Sequence, residues 1–377
     1  MLVALANSEL NMAPNPLRDS EHRLGLAVFG INVSSGCTMT SAPGTLGIDW
    51  PETRSLALAA EAAGFDALIP VARWKGMGGT VNFNHRSWEP FTMASALAAV
   101  TERIALFSTC HVPTVHPVRM AKEVATIDQI SGGRFCLNIV AGWNEREIGM
   151  FGVQQKAHDE RYDVADDWIE FTKRLWDEPA EFDYAGPYFT SPGAYSQPKP
   201  VQAPHPLIMS AGNSPRGLQF AAKHADLNFV VAPDLATAAE NARNVRELAA
   251  EQGRKIKVFG QGYIVCRDTQ AEANAFRDQY VNELGDWDGV RNLLDVLIPN
   301  SQSALGDQWE AMAANMIAGY GALPLVGTPD QVVAGMRAFA DAGLDGLTVS
   351  WVDYAQGIEQ FDKQLRPRLV EAGLRAY

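Results

Sequence analysis

Short, predominantly apolar runs recur along the chain, and the stretches between them carry apolar residues at helical spacing. The runs predict strands at Leu24–Phe29, Ala67–Ala72, Ile104–Thr109, Phe135–Val140, Leu207–Ser210, Leu227–Val231, Val258–Cys266 and Gly346–Trp351. They are mostly apolar, with no regular polar alternation, the pattern of strands covered on both faces in a parallel sheet. Helical spacing is clearest over Pro51–Ala63, Pro90–Val100, Pro117–Ile130, Asp159–Trp176 and Pro329–Ala342. Several of these open on Pro, which the first helical turn tolerates because its N–H has no partner there anyway. The alternation is that of repeated βαβ units, and eight runs fit one closed α/β cylinder, a (β/α)8 TIM barrel. An open doubly wound sheet competes, but the G-x-G-x-x-G turn expected after its first strand is absent.

Two segments break the rhythm. Residues 178–205 are rich in Pro, Gly, Tyr and Phe, and residues 284–325 hold Trp287, Trp309, Tyr320 and several glycines. Long excursions in a barrel decorate the rim where the strands end. The second is therefore expected to be a substrate lid, with an oligomer contact or plain packing as the alternatives. Residues 1–20, containing Asn11, Pro14, Asn15 and Pro16, are expected to form a flexible arm ahead of a single domain over 21–377.

Composition narrows the class without naming a function. The 377 residues are 47% hydrophobic and 20% charged, enough apolar material for one large core. A net charge of −13 with no cluster of Lys and Arg speaks against nucleic acid as a partner. Cys37, Cys110, Cys136 and Cys266 are scattered, with no spacing for a disulfide framework or a zinc site. The chain lacks a secretory leader pattern and any membrane-length apolar stretch, so a cytoplasmic location with no membrane contact is expected.

Chemistry is expected where barrel strands end. The helix over 117–130 closes on Gly132-Gly133, and the following run ends in Asn138, Gly142 and Trp143. Asn138 lies in a buried strand, where its amide must find partners, either in the core or facing a ligand. Thr109 ends the third run. His111 and His116 follow it in the loop, where they are either site residues or structural ones, His116 sitting just before a helix-starting Pro. Arg161 and Tyr162 follow Asp159 and Glu160 at a helix start, and Ser214 opens another helical pattern. Together they could grip a phosphate, although Arg161 could equally pair with a surface carboxylate and Ser214 merely cap a helix. His85 is placed near the pocket mouth, Glu89 is read as a helix cap, and Trp74, Trp88 and Trp143 as pocket wall. No H-E-x-x-H spacing proposes a metal, and no G-x-S-x-G elbow a hydrolase.

Several motifs occur in one order: Trp74-Lys-Gly-Met-Gly-Gly79, Trp88-Glu-Pro-Phe-Thr92, Ala125-Thr-Ile-Asp-Gln-Ile-Ser-Gly-Gly-Arg134 with Asn138-Ile-Val-Ala-Gly-Trp143, Asp159-Glu-Arg-Tyr162 and Ser210-Ala-Gly-Asn-Ser214. This set resembles the flavin-dependent monooxygenases of the bacterial luciferase type, and within them the branch of pyrimidine and dimethyl sulfone monooxygenases. The resemblance spans roughly residues 24–235 well and the rest more loosely. It implies the oxygenase component of a two-component enzyme that takes reduced FMN from a separate NAD(P)H-dependent flavin reductase, uses O2 as co-substrate and oxygenates a small organic molecule. A nitrogen heterocycle, with possible ring opening, is the substrate the branch favours. A sulfone or sulfonate is the alternative, and an F420-dependent oxidoreductase shares the barrel. The family also implies a homodimer or homotetramer.

By the same resemblance these positions contact the flavin: Arg161, Tyr162 and Ser214 at the phosphate, Asn138 nearer the ring, Glu147 just past Trp143, and Ala72 and Arg73 as a backbone and a cationic contact beside the ring. Relatives carry a larger aliphatic residue and Lys at these last two positions, so this chain departs there. Arg cannot readily lose its proton, which fits Arg73 for stabilising an anion and not for acting as a base. The family pairing of Thr109 with Asn138 implies oxygen addition at flavin N5 rather than at C4a, with His111 as a further candidate catalytic group.

Overall fold

The computed structural model describes residues 15–376. Its strands are β1 Gly25–Phe29, β2 Ala67–Ile69, β3 Ala105–His111, β4 Phe135–Val140, β5 Phe182–Ala185, β6 Thr190–Ala194, β7 Leu207–Ser210, β8 Leu227–Phe229, β9 Lys257–Cys266, β10 Leu323–Gly327 and β11 Gly346–Ser350. A parallel ladder runs β11-β1-β2-β3-β4-β7-β8-β9, and β9 pairs back onto β11 to close an eight-stranded barrel. These are the eight runs picked out by the apolar pattern. The remaining strands lie outside it: β10 extends the far half of β9, from Leu323 beside Gly262 to Gly327 beside Cys266, and β5–β6 form an antiparallel hairpin.

The runs are predominantly apolar because both faces are covered. Ala27, Ala67, Ala105, Cys136, Leu207, Leu227 and Phe259 pack inside the cylinder, while Leu26, Leu68, Leu106, Leu137, Ile208 and Val258 pack outward against the helices. The Phe259 ring occupies space that β1 and β11 leave free. A Cβ at Gly346 would lie 2.2 Å from its Cζ, and one at Gly25 2.8 Å away. One large ring facing two missing side chains fills the cross-section at interior density.

The sequence-predicted helices form within a residue or two of their expected ends. Helix 117–131 stops at Gly132 (φ 65°) and Gly133 (φ 93°), left-handed backbone that glycine adopts without strain. Glu89 caps helix 90–98 by accepting from Phe91 and Thr92 N–H, at 3.1 and 2.7 Å. Helices Leu235–Glu251 and Gln270–Asp278 are not singled out by the sequence pattern. Ala-rich or highly charged, they have weak apolar stripes and are held by Asp234 and Thr269 caps.

Most of the expected flexible arm lies outside the described residues. Its last part, 15–20, departs from expectation: Leu17 is buried against the lower end of the barrel, and the Asn15 amide reaches Gly133 O and Gln202 Oε1 at 3.4 and 3.3 Å. The 178–205 segment packs against helix 158–177. There Tyr184 stacks on Phe171 at 4.1 Å, and Asp167 accepts from Tyr184 OH and from the N–H groups of Tyr188 and Phe189. The 284–325 segment builds helices Trp287–Leu297, Ser301–Leu305 and Trp309–Gly319 around an apolar cluster of its own with Met39, Phe83 and Tyr263. It serves as packing and as mouth wall together, because Leu297, Met316 and Tyr320 reach over the barrel opening.

Candidate active site

The upper strand ends surround a cavity of about 300 Å³. Phe29, Val71, Val140 and Phe229 make its floor and walls apolar, Arg73, Thr109, His111 and Gln261 are its polar members, and Met316 and Tyr320 roof it. A second cavity of about 250 Å³ shares Val140, Trp143 and Ala211 with the first and runs between the tips of β4 and β7 to Arg161, Tyr162 and Gly212. The two form one elongated slot, apolar at the barrel axis and polar at its outer end.

The outer end is an anion cradle. Ser214 caps helix 215–224 by accepting from Gly217 N–H at 3.1 Å, which orients the positive end of that helix toward the turn. Gly212 and Gly217 keep the approach open: a Cβ on either would come within 2.9 or 2.7 Å of the Tyr162 hydroxyl. That hydroxyl bonds Ser214, and burial raises the Tyr162 phenol above its ordinary range. Arg161 donates to Gly142 O, and its buried Nε has no partner. It has no carboxylate partner among the described residues, since Asp159 pairs with His158 and Glu160 with Lys156. Arg216, one turn away, is occupied by Asp163 and Asp166.

The axial end holds the Thr109–Asn138 pair on adjacent strands in register. Asn138 Nδ2 donates to Thr109 Oγ1 at 3.1 Å, and Thr109 in turn donates to Pro70 O at 2.6 Å. Asn138 lies on the inward face two residues below Val140, and its Oδ1 is buried without a partner. Across the barrel the buried Nε2 of Gln261 is also unpartnered. Buried polar atoms left bare cost about 1–3 kcal/mol each, so a ligand or an ordered water that met these atoms would be stabilised there.

Arg73 closes one side. Its guanidinium meets Glu147 Oε2 at 3.3 Å and Tyr320 OH at 3.1 Å, and lies 5.1 Å from the centre of the Trp143 ring. Glu147 does not line the cavity. It is wholly buried behind Arg73, and its Oε1 accepts from Trp74 and Lys75 N–H at 2.7 and 2.9 Å. Glu147 thus positions Arg73 and the 73–75 backbone. Ala72 lines the cavity beside them. Burial, and then the charge of Arg73, lower the His111 imidazole to about 4, so it stands neutral over the cavity at neutral pH. His116 caps helix 117–131 through Nδ1, and His85 bonds Asn82 O and Ser34 away from the cavity. Trp74 is exposed at the rim.

Gln261 and Met316 are site residues that sequence reasoning does not name, and Tyr320 is named only within the 284–325 segment expected as a lid. A lone Gln in the otherwise apolar run Val258–Cys266 is a visible signal. The roof residues give none, because their position depends on how the 284–325 helices fold back.

The donor set fits a reduced flavin mononucleotide. The cradle of Arg161, Tyr162 and the 215–224 helix start suits its phosphate, and the apolar slot suits its ring. The bare Asn138 Oδ1 is an acceptor for which the N–H edge of a reduced flavin is a donor. Among the described residues no group of His, Cys, Asp and Glu could hold a metal ion, all four cysteines are free and buried, and no helix is long and apolar enough to cross a membrane.

Residues 28–346 match the luciferase-like monooxygenase family model. Pyrimidine monooxygenase RutA of Methylobacterium radiotolerans is 32% identical over 324 residues, covering 83% of each chain. An FMNH2-dependent dimethylsulfone monooxygenase of Pseudomonas putida is 27% identical over 345 residues, covering 90% of this chain and 93% of its own. In fold, a solved structure of riboflavin lyase RcaE with modified FMN and riboflavin superposes with a TM-score of 0.83 at 23% identity, covering 94% of this chain and 92% of that one. The chain is an enzyme of the luciferase-like family of flavin-dependent monooxygenases.

Proposed function

We propose that the protein is the oxygenase of a two-component system, taking reduced FMN from a separate flavin reductase and oxygenating a small nitrogen heterocycle. The bound reduced flavin would supply two electrons to dioxygen, so that one oxygen atom enters the substrate and the other leaves as water. The chain's own residues do the rest. Arg161, Tyr162 and the Ser214-capped helix hold the phosphate. Phe29, Phe229, Met316 and Tyr320 exclude water from the reacting edge. Asn138, held by Thr109, fixes the ring edge, and Arg73 stabilises negative charge that develops beside it.

One observation carries this reading: a bare buried acceptor, Asn138 Oδ1, lies on the inward strand face two residues below Val140, which lines both cavities, and the outer cavity ends in an anion cradle. For the substrate, the polar members left over are Arg73, the Gln261 amide and a neutral His111 in an otherwise apolar chamber. That combination suits a small neutral ring carrying carbonyl or ring-nitrogen acceptors. The names of the relatives point the same way, toward pyrimidines.

The test mixes the protein with FMN, a generic flavin reductase, NADH and 18O2 against uracil, other N-heterocycles, dimethyl sulfone and alkanesulfonates. One 18O atom in a heterocycle product is expected. Label in the sulfur compounds alone would assign the sulfone chemistry instead, and no labelled product with binding of F420 would replace the reading by hydride transfer.

A further inference from the structure

We propose that dioxygen reaches the Thr109–Asn138 pair by its own route, a lateral window between the upper ends of β2 and β3, separate from the mouth used by flavin and substrate. The proposal rests on the flavin reading above for its function and on the fold for its existence.

The window follows from strand length. β2 pairs with β3 only at Ala67–Ala105 and Leu68–Leu106, whereas β3 continues to His111 with its other edge bonded to β4. Above Leu68 the two strands therefore part. One side-chain hydrogen bond spans the gap, Thr109 Oγ1 donating to Pro70 O, while the Asn32 amide from the loop after β1 holds the N–H and the C=O of Val71 on the other side of β2, at 2.8 Å. The seam is stitched at Thr109 and parts beyond it.

A cavity of about 90 Å³ occupies the gap. Ala72, Thr109 and His111 line it and also line the barrel-mouth cavity, so these three residues form the wall between the two voids. Outward it passes Phe91, Cys110 and Met120, all buried, and ends beneath Trp74 and Phe151. Those two rings meet edge to face at 5.0 Å and are 42% and 40% exposed, a loose cover at the surface. The charged groups at the outer end are satisfied: Glu89 caps its helix and Arg119 pairs with Glu123 at 2.7 Å. They leave no free charge to draw in an ionic ligand.

Size and polarity select the occupant. The void has room for about three water-sized molecules, and pockets for organic ligands begin at roughly 300 Å³. The inner stretch between Ala72, Phe91, Cys110, Val115 and Met120 is apolar, and such a stretch takes up apolar gases such as xenon, for which dioxygen is a smaller counterpart. A substrate seated under Met316 and Tyr320 would block the axial entrance, and the side window would still deliver dioxygen to Thr109.

The test needs no substrate. Protein loaded with anaerobically reduced FMN is mixed with dioxygen in a stopped-flow instrument, and flavin oxidation is followed at several oxygen concentrations. Val115→Phe, which places a ring in the side cavity, should lower the second-order rate constant severalfold with FMN affinity unchanged. Phe151→Ala, which removes half of the cover, should raise it. Wild-type rates in both variants would overturn the proposal. Xenon-pressurised crystals of the unmodified protein give a second measurement that holds even where Val115→Phe fails to fold. A xenon site between Ala72 and Met120 is expected, and xenon in the barrel mouth alone would refute the window. Failure to bind FMN, by contrast, would refute the proposed function and leave the xenon result to judge the cavity.

Discussion

Replacing Glu147 isolates the interaction on which the geometry of Arg73 depends. Both side chains are 1% exposed, and Glu147 accepts from the Arg73 guanidinium and from the Trp74 and Lys75 N–H groups. Glu147→Leu strands a buried guanidinium, a loss of about 3–5 kcal/mol, and deprives two backbone donors that water at the exposed Trp74 rim can partly satisfy. Glu147→Gln keeps one oxygen for the backbone donors but turns an NH2 donor toward Arg73, losing the charge and that hydrogen bond, so its cost should still be smaller, about 2–3 kcal/mol. The double variant Arg73→Met/Glu147→Gln removes the stranded charge and should regain most of the loss, since an apolar replacement of a buried ion pair is often close to neutral. Urea unfolding followed by tryptophan fluorescence reads these differences as midpoint shifts at constant m-value. If Glu147→Leu cost under 1 kcal/mol, or if the double variant were less stable than Glu147→Gln, the pair would not hold the 73–75 segment as described.

Three further outcomes are expected. His111 has its proton affinity lowered by burial from 6.5 to about 4, so the unfolded chain binds a proton there that the fold refuses. Its contribution to stability is full above pH 6.5 and is lost as the pH falls toward 4, with a slope of at most about 1.4 kcal/mol per pH unit. The difference between wild type and His111→Gln across that window should show the slope, and parallel curves would contradict it. Asn138→Ala removes one hydrogen bond, worth about 1 kcal/mol or roughly fivefold in FMN affinity, but should release most of the consumed oxygen as hydrogen peroxide rather than product. Unchanged product per oxygen would count against the Thr109–Asn138 assignment. Gly346→Ala drives a methyl group into the Phe259 ring and should cost about 1–3 kcal/mol, with recovery when Phe259→Leu is added. A melt showing no loss would mean that the barrel floor is looser than these contacts indicate.

The barrel strands were legible because each is buried on both faces, which leaves a predominantly apolar run bounded by polar or Gly-rich tips. The phosphate cradle was half legible. Arg161, Tyr162 and Ser214 stand in recognisable local contexts, but only folding brings the start of helix 158–177 beside the start of helix 215–224. Glu147 shows the limit of transfer by position. It follows Trp143 in sequence as expected, yet its carboxylate turns to Arg73 and the 74–75 backbone instead of the slot. The roof was legible only as a segment: 284–325 is expected as a lid, but Met316 and Tyr320 belong to a stretch whose apolar residues form a separate cluster with Met39 and Phe83, and nothing local fixes where that cluster docks or which side chains reach the mouth. Tyr320 adopts left-handed backbone (φ 56°) as it leaves helix 309–319, a conformation that residue type does not forecast.

The most direct test is a crystal structure of the protein soaked with FMN under reducing conditions. The phosphate is expected within hydrogen-bonding distance of Arg161, Tyr162 and the first turn of helix 215–224, with the ring in the slot and its N–H edge at Asn138. A flavin bound on any other wall of the barrel, or a slot left empty at saturating FMN, would contradict the account.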